Sequence, residues 1–326
     1  MMKVLVVGGA GYIGSHVCKL LHKKGYKVYV YDNLERGHRS AVKWGPLLEG
    51  DLRDSESINS AMTSETFDAV MHFAAYAYVG ESVEYPDKYF QNNVCGTLNL
   101  LHAMKQAGVK KLIFSSTCAV YGSPKSMPVS EETPIAPDSP YGMSKYMAEQ
   151  AILSYGMLGY INPVVFRYFN VIGSDPDVEI GEDHDPETHI LPLAVNAALG
   201  RQSEFSIFGD DYPTPDGTCI RDYLHVNDLA LAHIKALHYD SSLGNHIFNL
   251  GTGTPLSVKQ ILDKVEQVTG GKLHRTILPR RLGDAVALHA SAKKANHLLD
   301  WFPEYIDVAF AIENVVSYIE SGNSKK

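Results

Sequence analysis

Residues 3–14 read KVLVVGGAGYIG, a β-branched run that breaks directly into closely spaced glycines. Gly9, Gly11 and Gly14, preceded by Gly8, let a strand turn sharply into a helix. They also let the backbone approach a pyrophosphate resting on the partly positive helix N-terminus. A glycine triplet by itself does not separate a nucleotide cradle from a tight turn. Its position does: the triplet follows a strand, opens a helix, and is followed 18 residues after Gly14 by Asp32 at the end of a second strand. An acidic side chain there accepts hydrogen bonds from ribose hydroxyls and repels a 2′-phosphate, so the cofactor expected is NAD rather than NADP. Arg36 and Arg39, close by in sequence, oppose that preference.

The downstream pattern fixes the fold class. Runs at 3–7, 27–31, 68–73, 110–115 and 163–168 alternate with helical periodicity near 12–24, 88–107 and 141–157. Such alternation predicts an α/β fold: a Rossmann-type, doubly wound parallel sheet with helices on both faces. Beyond residue 170 the pattern becomes loop-rich, at 173–189 and 208–218. We therefore expect a cofactor domain over 1–170 and a smaller C-terminal α/β domain over 171–326, with part of 220–250 returning to the first. Within the second, Ser257 and Gln260 form a capping box that Gly270 can close as a helix. The polar stretch 321–326 should be frayed.

Composition removes several function classes. With 326 residues and 45% hydrophobic content the chain can build a large core. A net charge of −8 argues against a nucleic-acid or membrane-surface binder, although Arg280 and Arg281 could attract phosphate locally. No run of about 18 apolar residues appears, so no membrane span is expected, and the apolar start breaks into glycines rather than a cleavage site. Cys18, Cys95, Cys118 and Cys219 are widely spaced without a CxxC pair. That suits reduced thiols in core or pocket walls of a cytoplasmic protein. Asp183, His184, Asp185, Glu187 and His189 fall in a polar loop without HExxH spacing, and read as solvated side chains with no metal.

A second constellation bears on chemistry. In SPYGMSK (139–145), Ser139 suits the cap and Pro140 the first helical position, which puts Tyr141 and Lys145 one turn apart on one face. A phenol with an unperturbed pKa of about 10 becomes a base only beside positive charge. Lys145, the helix N-terminus and an oxidised nicotinamide would all act that way. Upstream, Ser115, Ser116 and Thr117 end a strand at the carboxyl edge of the sheet, where ligands bind in such folds. A hydroxyl at Thr117 can hold a substrate oxygen.

These motifs resemble the extended short-chain dehydrogenase/reductase family. The stretches HFAAYAYVGES (72–82), NNVCGTLNLL (92–101), RYFNVIG (167–173), GEDHDPETHILP (181–192), IFGDDYPTPDGTCIRDYLHVNDLA (207–230) and NLGTG (249–253) are further similar to its UDP-glucose 4-epimerases, over nearly the whole chain. The resemblance implies a catalytic group of Thr117, Tyr141 and Lys145. It implies NAD held by Gly8, Gly11, Tyr12, Ile13, Gly14, Asp32, Asn33, Asp51, Leu52, Phe73, Ala74, Asn92 and Phe169, together with Tyr141 and Lys145. It implies a UDP-sugar met by Thr117, Asn170, His189, Phe208, Arg221, Tyr223, Arg281 and Asp284. Two positions depart from that pattern: Ala77 stands where many epimerases carry lysine, and Leu288 stands where a bulky tyrosine would exclude 2-acetamido sugars. Hexose, N-acetylhexosamine and pentose substrates all stay open on this reading.

The implied reaction inverts the sugar C4 hydroxyl through a transient 4-keto sugar, with Tyr141 as base. Dehydratases of the family place acidic residues just after the threonine, where this chain has Cys118 and Ala119. A nucleotide sensor would not need Tyr141, Lys145 and Thr117 together. Helices near 88–107 and 141–157 carry apolar residues on more than one side, including Tyr89, Leu98, Leu101, Met104, Met147, Ile152 and Leu153. This predicts a homodimer through a four-helix bundle, which the resemblance implies as well.

Overall fold

Alternation along Lys3–Val7 sends Val4 and Val6 to one face and Leu5 and Val7 to the other, and all four are fully buried. A strand buried on both sides must be covered on both, and the computed structural model shows how. It describes residues 1–241, 244, 246–281 and 284–322. Seven parallel strands form one sheet in the order Ile247–Leu250, Asn162–Tyr168, Lys111–Ser115, Ala69–His72, Lys3–Val7, Lys27–Asp32, Leu47–Glu49. The chain builds outward in one direction from Lys3–Val7, then restarts beside it at Ala69–His72. That reversal opens a crevice at the carboxyl ends of the two central strands, where a doubly wound sheet binds its ligand.

Helices Tyr12–Lys23 and Val226–Leu237 pack together on one face over Val4, Val6, Val28 and Val30. Helices Ser55–Thr63, Gly96–Ala107 and Pro140–Met157 cover the other, over Leu5, Val7, Tyr29 and Tyr31. The predicted strands and helices appear within a residue or two of their expected bounds, with one exception. The pattern at 88–107 is not continuous: a short helix Pro86–Tyr89 passes through a π-helical segment Phe90–Cys95 into Gly96–Ala107. A π segment re-aims side chains within a helix. Here it buries Asn93, whose side-chain carbonyl accepts from Tyr76 N (2.9 Å) and whose amide donates to Tyr76 O and Ser144 Oγ (both 3.0 Å). The same segment leaves Cys95 exposed rather than in a core or pocket wall.

A separate core forms from helices Ile190–Ala198, Val258–Thr269 and Val308–Glu320 with the parallel pair Phe205–Phe208 and Arg275–Leu278. The capping box of Ser257 and Gln260 is formed, and Gly270 closes that helix in the left-handed conformation at φ 69°. No helix among the described residues is long and apolar enough to cross a membrane. Residues 323–326 of the polar tail lie outside the described residues.

Candidate active site

Gly8 adopts φ +82°, and a Cβ added there would sit 2.5 Å from Ala74 N. At Gly14 a Cβ would meet Gly8 O at 2.2 Å. Both positions therefore require glycine, because the turn folds tightly against the neighbouring strand end. Gly11 is the N-cap of helix Tyr12–Lys23, and no side chain caps that end, so the helix presents its backbone N–H groups to the crevice. Asp32 ends its strand with one carboxylate oxygen accepting from Ala10 N (3.0 Å) and the other from Leu34 N (2.9 Å). Burial raises its pKa from the ordinary carboxylate value. The two arginines that could have favoured a 2′-phosphate are engaged elsewhere. Arg36 donates to Asp185 O (2.7 Å) and pairs with Glu81, and Arg39 pairs with Glu49. Buried glycines, an uncapped helix start and an acid beside them fit a dinucleotide of the NAD type.

From this cradle a cavity of about 1000 Å³ runs across the carboxyl edge of the sheet into the second core region. Every cofactor, catalytic and substrate residue that the family resemblance implied lines it, while Gly9 of the glycine triplet does not. Asp51 is held low, to about 2, chiefly by its hydrogen bonds from Arg53, and also accepts from Asn33 at 2.9 Å.

In the middle of the cavity lie the hydroxyl residues. Helix Pro140–Met157 begins as its sequence predicts: Ser139 Oγ accepts from Gly142 N (3.1 Å), and Pro140 takes the first turn. Thr117 caps a short 3₁₀ turn, its hydroxyl accepting from Ala119 N at 3.1 Å. Tyr141 meets the Tyr89 ring edge-on at 6.3 Å. Burial pushes its phenol up to about 12, the nearby Thr117 hydroxyl pulling the other way. Lys145 is buried with its ammonium 4.4 Å from the Phe114 ring centroid. Burial drives it down to about 7, against an upward pull from Glu149. The chain alone thus keeps Tyr141 protonated at neutral pH: burial sets its pKa, and the downward pull comes from Thr117 rather than from the lysine expected to favour the phenolate.

At the far end Arg221 donates to Ala285 O (2.8 Å), and Asp284 lies 3.4 Å from it. Asp284 also pairs with Arg281 at 2.9 Å, and the Arg281 guanidinium stands 4.7 Å over the Phe208 ring. Two cations share one carboxylate, leaving a net positive charge beside an aromatic face. Phe169 and Leu288 are buried in one cluster with Val120 and Tyr121. Leu288 aligns with Arg221 across a two-residue parallel pairing.

The model of the NAD dependent epimerase/dehydratase family matches residues 4–251. The chain belongs to that family. Among curated members of this epimerase family, a UDP-glucose 4-epimerase of Rhizobium leguminosarum bv. trifolii is 49% identical over 303 residues, 93% of each chain. The crystal structure of a UDP-glucose 4-epimerase from Brucella ovis in complex with NAD superposes with TM-score 0.93 at 46% identity, covering 97% of this chain and 98% of that one. A UDP-glucose 4-epimerase from Bifidobacterium longum in complex with NAD+ and UDP gives TM-score 0.92 at 35% identity over the full length of both.

Three features of this epimerase-family site were missed in the sequence. Tyr168 lines the cavity near Ser115 and near enough to Tyr141 for their charges to interact. Its place beside Phe169 and Asn170 was a usable signal. Glu149, a turn beyond Lys145, is fully buried, accepts from the Ser116 hydroxyl and is bonded twice by Arg167. The spacing Tyr141, Lys145, Glu149 repeats every four residues and was visible. Finally, the loop at 182–189 is not the solvated stretch expected: Glu182 is buried, and His184, Glu187 and His189 are half-buried around it. Alternation of acids and histidines hid a partner in Glu182 that the reading had left out.

Proposed function

We propose that this chain is an isomerase that interconverts UDP-glucose and UDP-galactose by inverting C4, with NAD resident in the glycine cradle. The observation that carries the reading is the convergence of Thr117, Tyr141 and Lys145 on one cavity. That cavity joins a dinucleotide cradle to a cationic, aromatic-walled end. Relatives of nearly full-length similarity are UDP-glucose 4-epimerases. When bound, NAD supplies a reversible two-electron acceptor and, in its oxidised form, a positive charge.

The chain's own residues do the rest. Gly8, Gly11, Tyr12, Ile13 and Gly14 form the cradle and Asp32 accepts from the ribose. Asn33, Asp51, Leu52, Phe73, Ala74, Asn92 and Phe169 wall in the remainder of the dinucleotide. Arg221 and Arg281, pinned by Asp284, take the diphosphate as a charge-assisted pair. Phe208 and Tyr223 offer apolar faces to the uridine, and Asn170 and His189 offer hydrogen bonds. Thr117 orients the sugar 4-hydroxyl toward the Tyr141 oxygen, which takes the hydroxyl proton while the C4 hydrogen would leave as hydride to the bound two-electron acceptor; with the 4-keto sugar turned over, hydride would return to its opposite face and Tyr141 gives the proton back. Lys145, poised near neutrality, stabilises that oxygen while it carries charge. Cys118 and Ala119, next to Thr117, bring no carboxyl group with which to expel water from the sugar. Incubation of the purified protein with UDP-galactose should give UDP-glucose without net change in cofactor, resolved by chromatography. A 4,6-dehydration product, or no product from NAD-loaded protein, would overturn the assignment.

The chain acts as a homodimer in the cytoplasm on the same reading. Leu98, Met143 and Met147 are exposed on helices Gly96–Ala107 and Pro140–Met157, beside exposed Val79, Val83 and Tyr85. Exposed apolar side chains gathered on neighbouring helices suit a surface that a second copy covers. Static light scattering at micromolar concentration should give twice the 35.9 kDa chain mass, and a monomer mass would dismiss the pairing.

A further inference from the structure

The segment Gly181–His189 forms the rim of the cavity and ends as the N-cap of helix Ile190–Ala198. Its backbone is tied to the cofactor side of the molecule. His38 Nε2 meets Asp183 O at 2.7 Å, Arg36 donates to Asp185 O at 2.7 Å, and the Tyr78 hydroxyl donates to Pro186 O at 3.1 Å. Alternate side chains, Glu182, His184, Glu187 and His189, turn inward together, with one ligand atom from each lying within 4.8 Å of all the others.

The spacing of these atoms is that of a coordination shell. His189 Nδ1 is 2.9 Å from a Glu182 oxygen and 2.9 Å from a Glu187 oxygen. His184 Nδ1 is 3.2 Å from the same Glu182 oxygen and 3.8 Å from Glu187 Oε2. Zinc holds imidazole nitrogen and carboxylate oxygen at about 2.0–2.2 Å, which puts tetrahedral ligands about 3.3–3.5 Å apart. The measured separations run from 2.9 to 3.8 Å on either side of that value, the His189–Glu187 contact being at hydrogen-bond length. Nδ1 of His184 is buried beside the Glu182 carboxylate, 3.2 Å away, without a well-aligned hydrogen bond. A nearby triad of Asp175, Asp177 and Glu179 also brings carboxylates together. There the cation is already present: Lys19 Nζ lies 2.6, 2.8 and 2.5 Å from the three acids. No lysine or arginine is paired with Glu182 or Glu187 among the described residues.

We propose that Glu182, His184, Glu187 and His189 form a four-coordinate site for a divalent transition ion of the zinc class. Two imidazoles and two carboxylates in a tetrahedral set suit zinc or cobalt better than magnesium or calcium, which want six or more oxygens. With all four positions filled by protein, the site is structural and supplies no reactive water. Its effect is on the rim: one ion would fasten the 182–189 loop onto the start of helix Ile190–Ala198. His189 would be ligated through Nδ1, leaving Nε2 to face the cavity.

The test uses NAD-loaded protein stripped with chelator and titrated with cobalt chloride, then zinc chloride. One cobalt per chain is expected, with the visible absorption of a tetrahedral centre, displaced by zinc, and with thermal unfolding shifted upward by either ion. His184→Gln should weaken binding by about 100-fold or more, beyond the 10–100-fold seen for residues that only support ligands. Asp183→Asn, in the same loop but outside the cluster, should bind as the wild type does. Glu187→Gln repeats the test should His184→Gln be recovered without its NAD. Absence of a stoichiometric cobalt spectrum in the wild type, or unchanged affinity in the folded His184→Gln protein, overturns the site. Because metal content and spectrum are read without turnover, this outcome is independent of whether the protein epimerises UDP-sugars.

Discussion

Replacing Tyr141 by phenylalanine is expected to lower turnover of UDP-galactose by about 10³-fold, or about 4 kcal/mol of barrier, while leaving UDP-sugar affinity nearly unchanged. The split follows from what the substitution removes. A phenylalanine ring keeps the edge-on contact with Tyr89 and the helix that carries it, so the cavity wall survives. What disappears is the phenolic oxygen beside Thr117, the atom proposed to carry the proton. Since burial already keeps that oxygen protonated in the chain alone, most of the driving force for its ionisation must come from charge bound in the site. Steady-state rates paired with equilibrium binding of the UDP-sugar check the prediction. A variant that kept a tenth or more of wild-type kcat would remove Tyr141 from the reaction.

Replacing Glu149 by glutamine should cost about 3–5 kcal/mol of folding stability, because it strands a buried guanidinium. Glu149 has no exposed surface and Arg167 is 3% exposed. They are joined by Nε to Oε1 at 3.0 Å and Nη2 to Oε2 at 2.6 Å. Arg167 also donates to the Tyr121 hydroxyl (3.1 Å), which donates to Asn249 Oδ1 (2.7 Å), so the network reaches from helix Pro140–Met157 to the last strand of the sheet. Glutamine fits the space but can accept through one oxygen and presents a donor amide to Arg167. A loss of this size is a large share of a typical domain's stability. The double variant Glu149→Gln, Arg167→Gln should lose less than the two single losses combined, since neither buried charge is then left alone. Denaturant unfolding that placed Glu149→Gln within about 1 kcal/mol of the wild type would show that the pair is solvated or dispensable.

What was legible in the sequence was local. Glycines at 8–14, the acid at Asp32 and the Ser139–Pro140 helix start each state their backbone requirement within a few residues, and the structure forms all of them. The five longer strands announced themselves by β-branched runs. Leu47–Glu49 has three residues, too few to show a period, and Ile247–Leu250 joins the sheet through pairing with residues more than 80 positions earlier. Burial of charge was least visible. Nothing near Glu149 shows that its partner is Arg167, and nothing near Glu182 shows that the loop folds inward on it. The burial that raises Tyr141 and lowers Lys145 likewise depends on how much water the surrounding walls exclude, which residue order does not reveal.

The position of Ile247–Leu250 at the sheet margin bears on how the polypeptide is made. Asn162–Tyr168 is left with an unpaired edge until residue 250 has left the ribosome, and such an edge invites pairing with other nascent chains. Fragments ending between 170 and 246 should therefore aggregate during synthesis, even though they hold the entire glycine cradle.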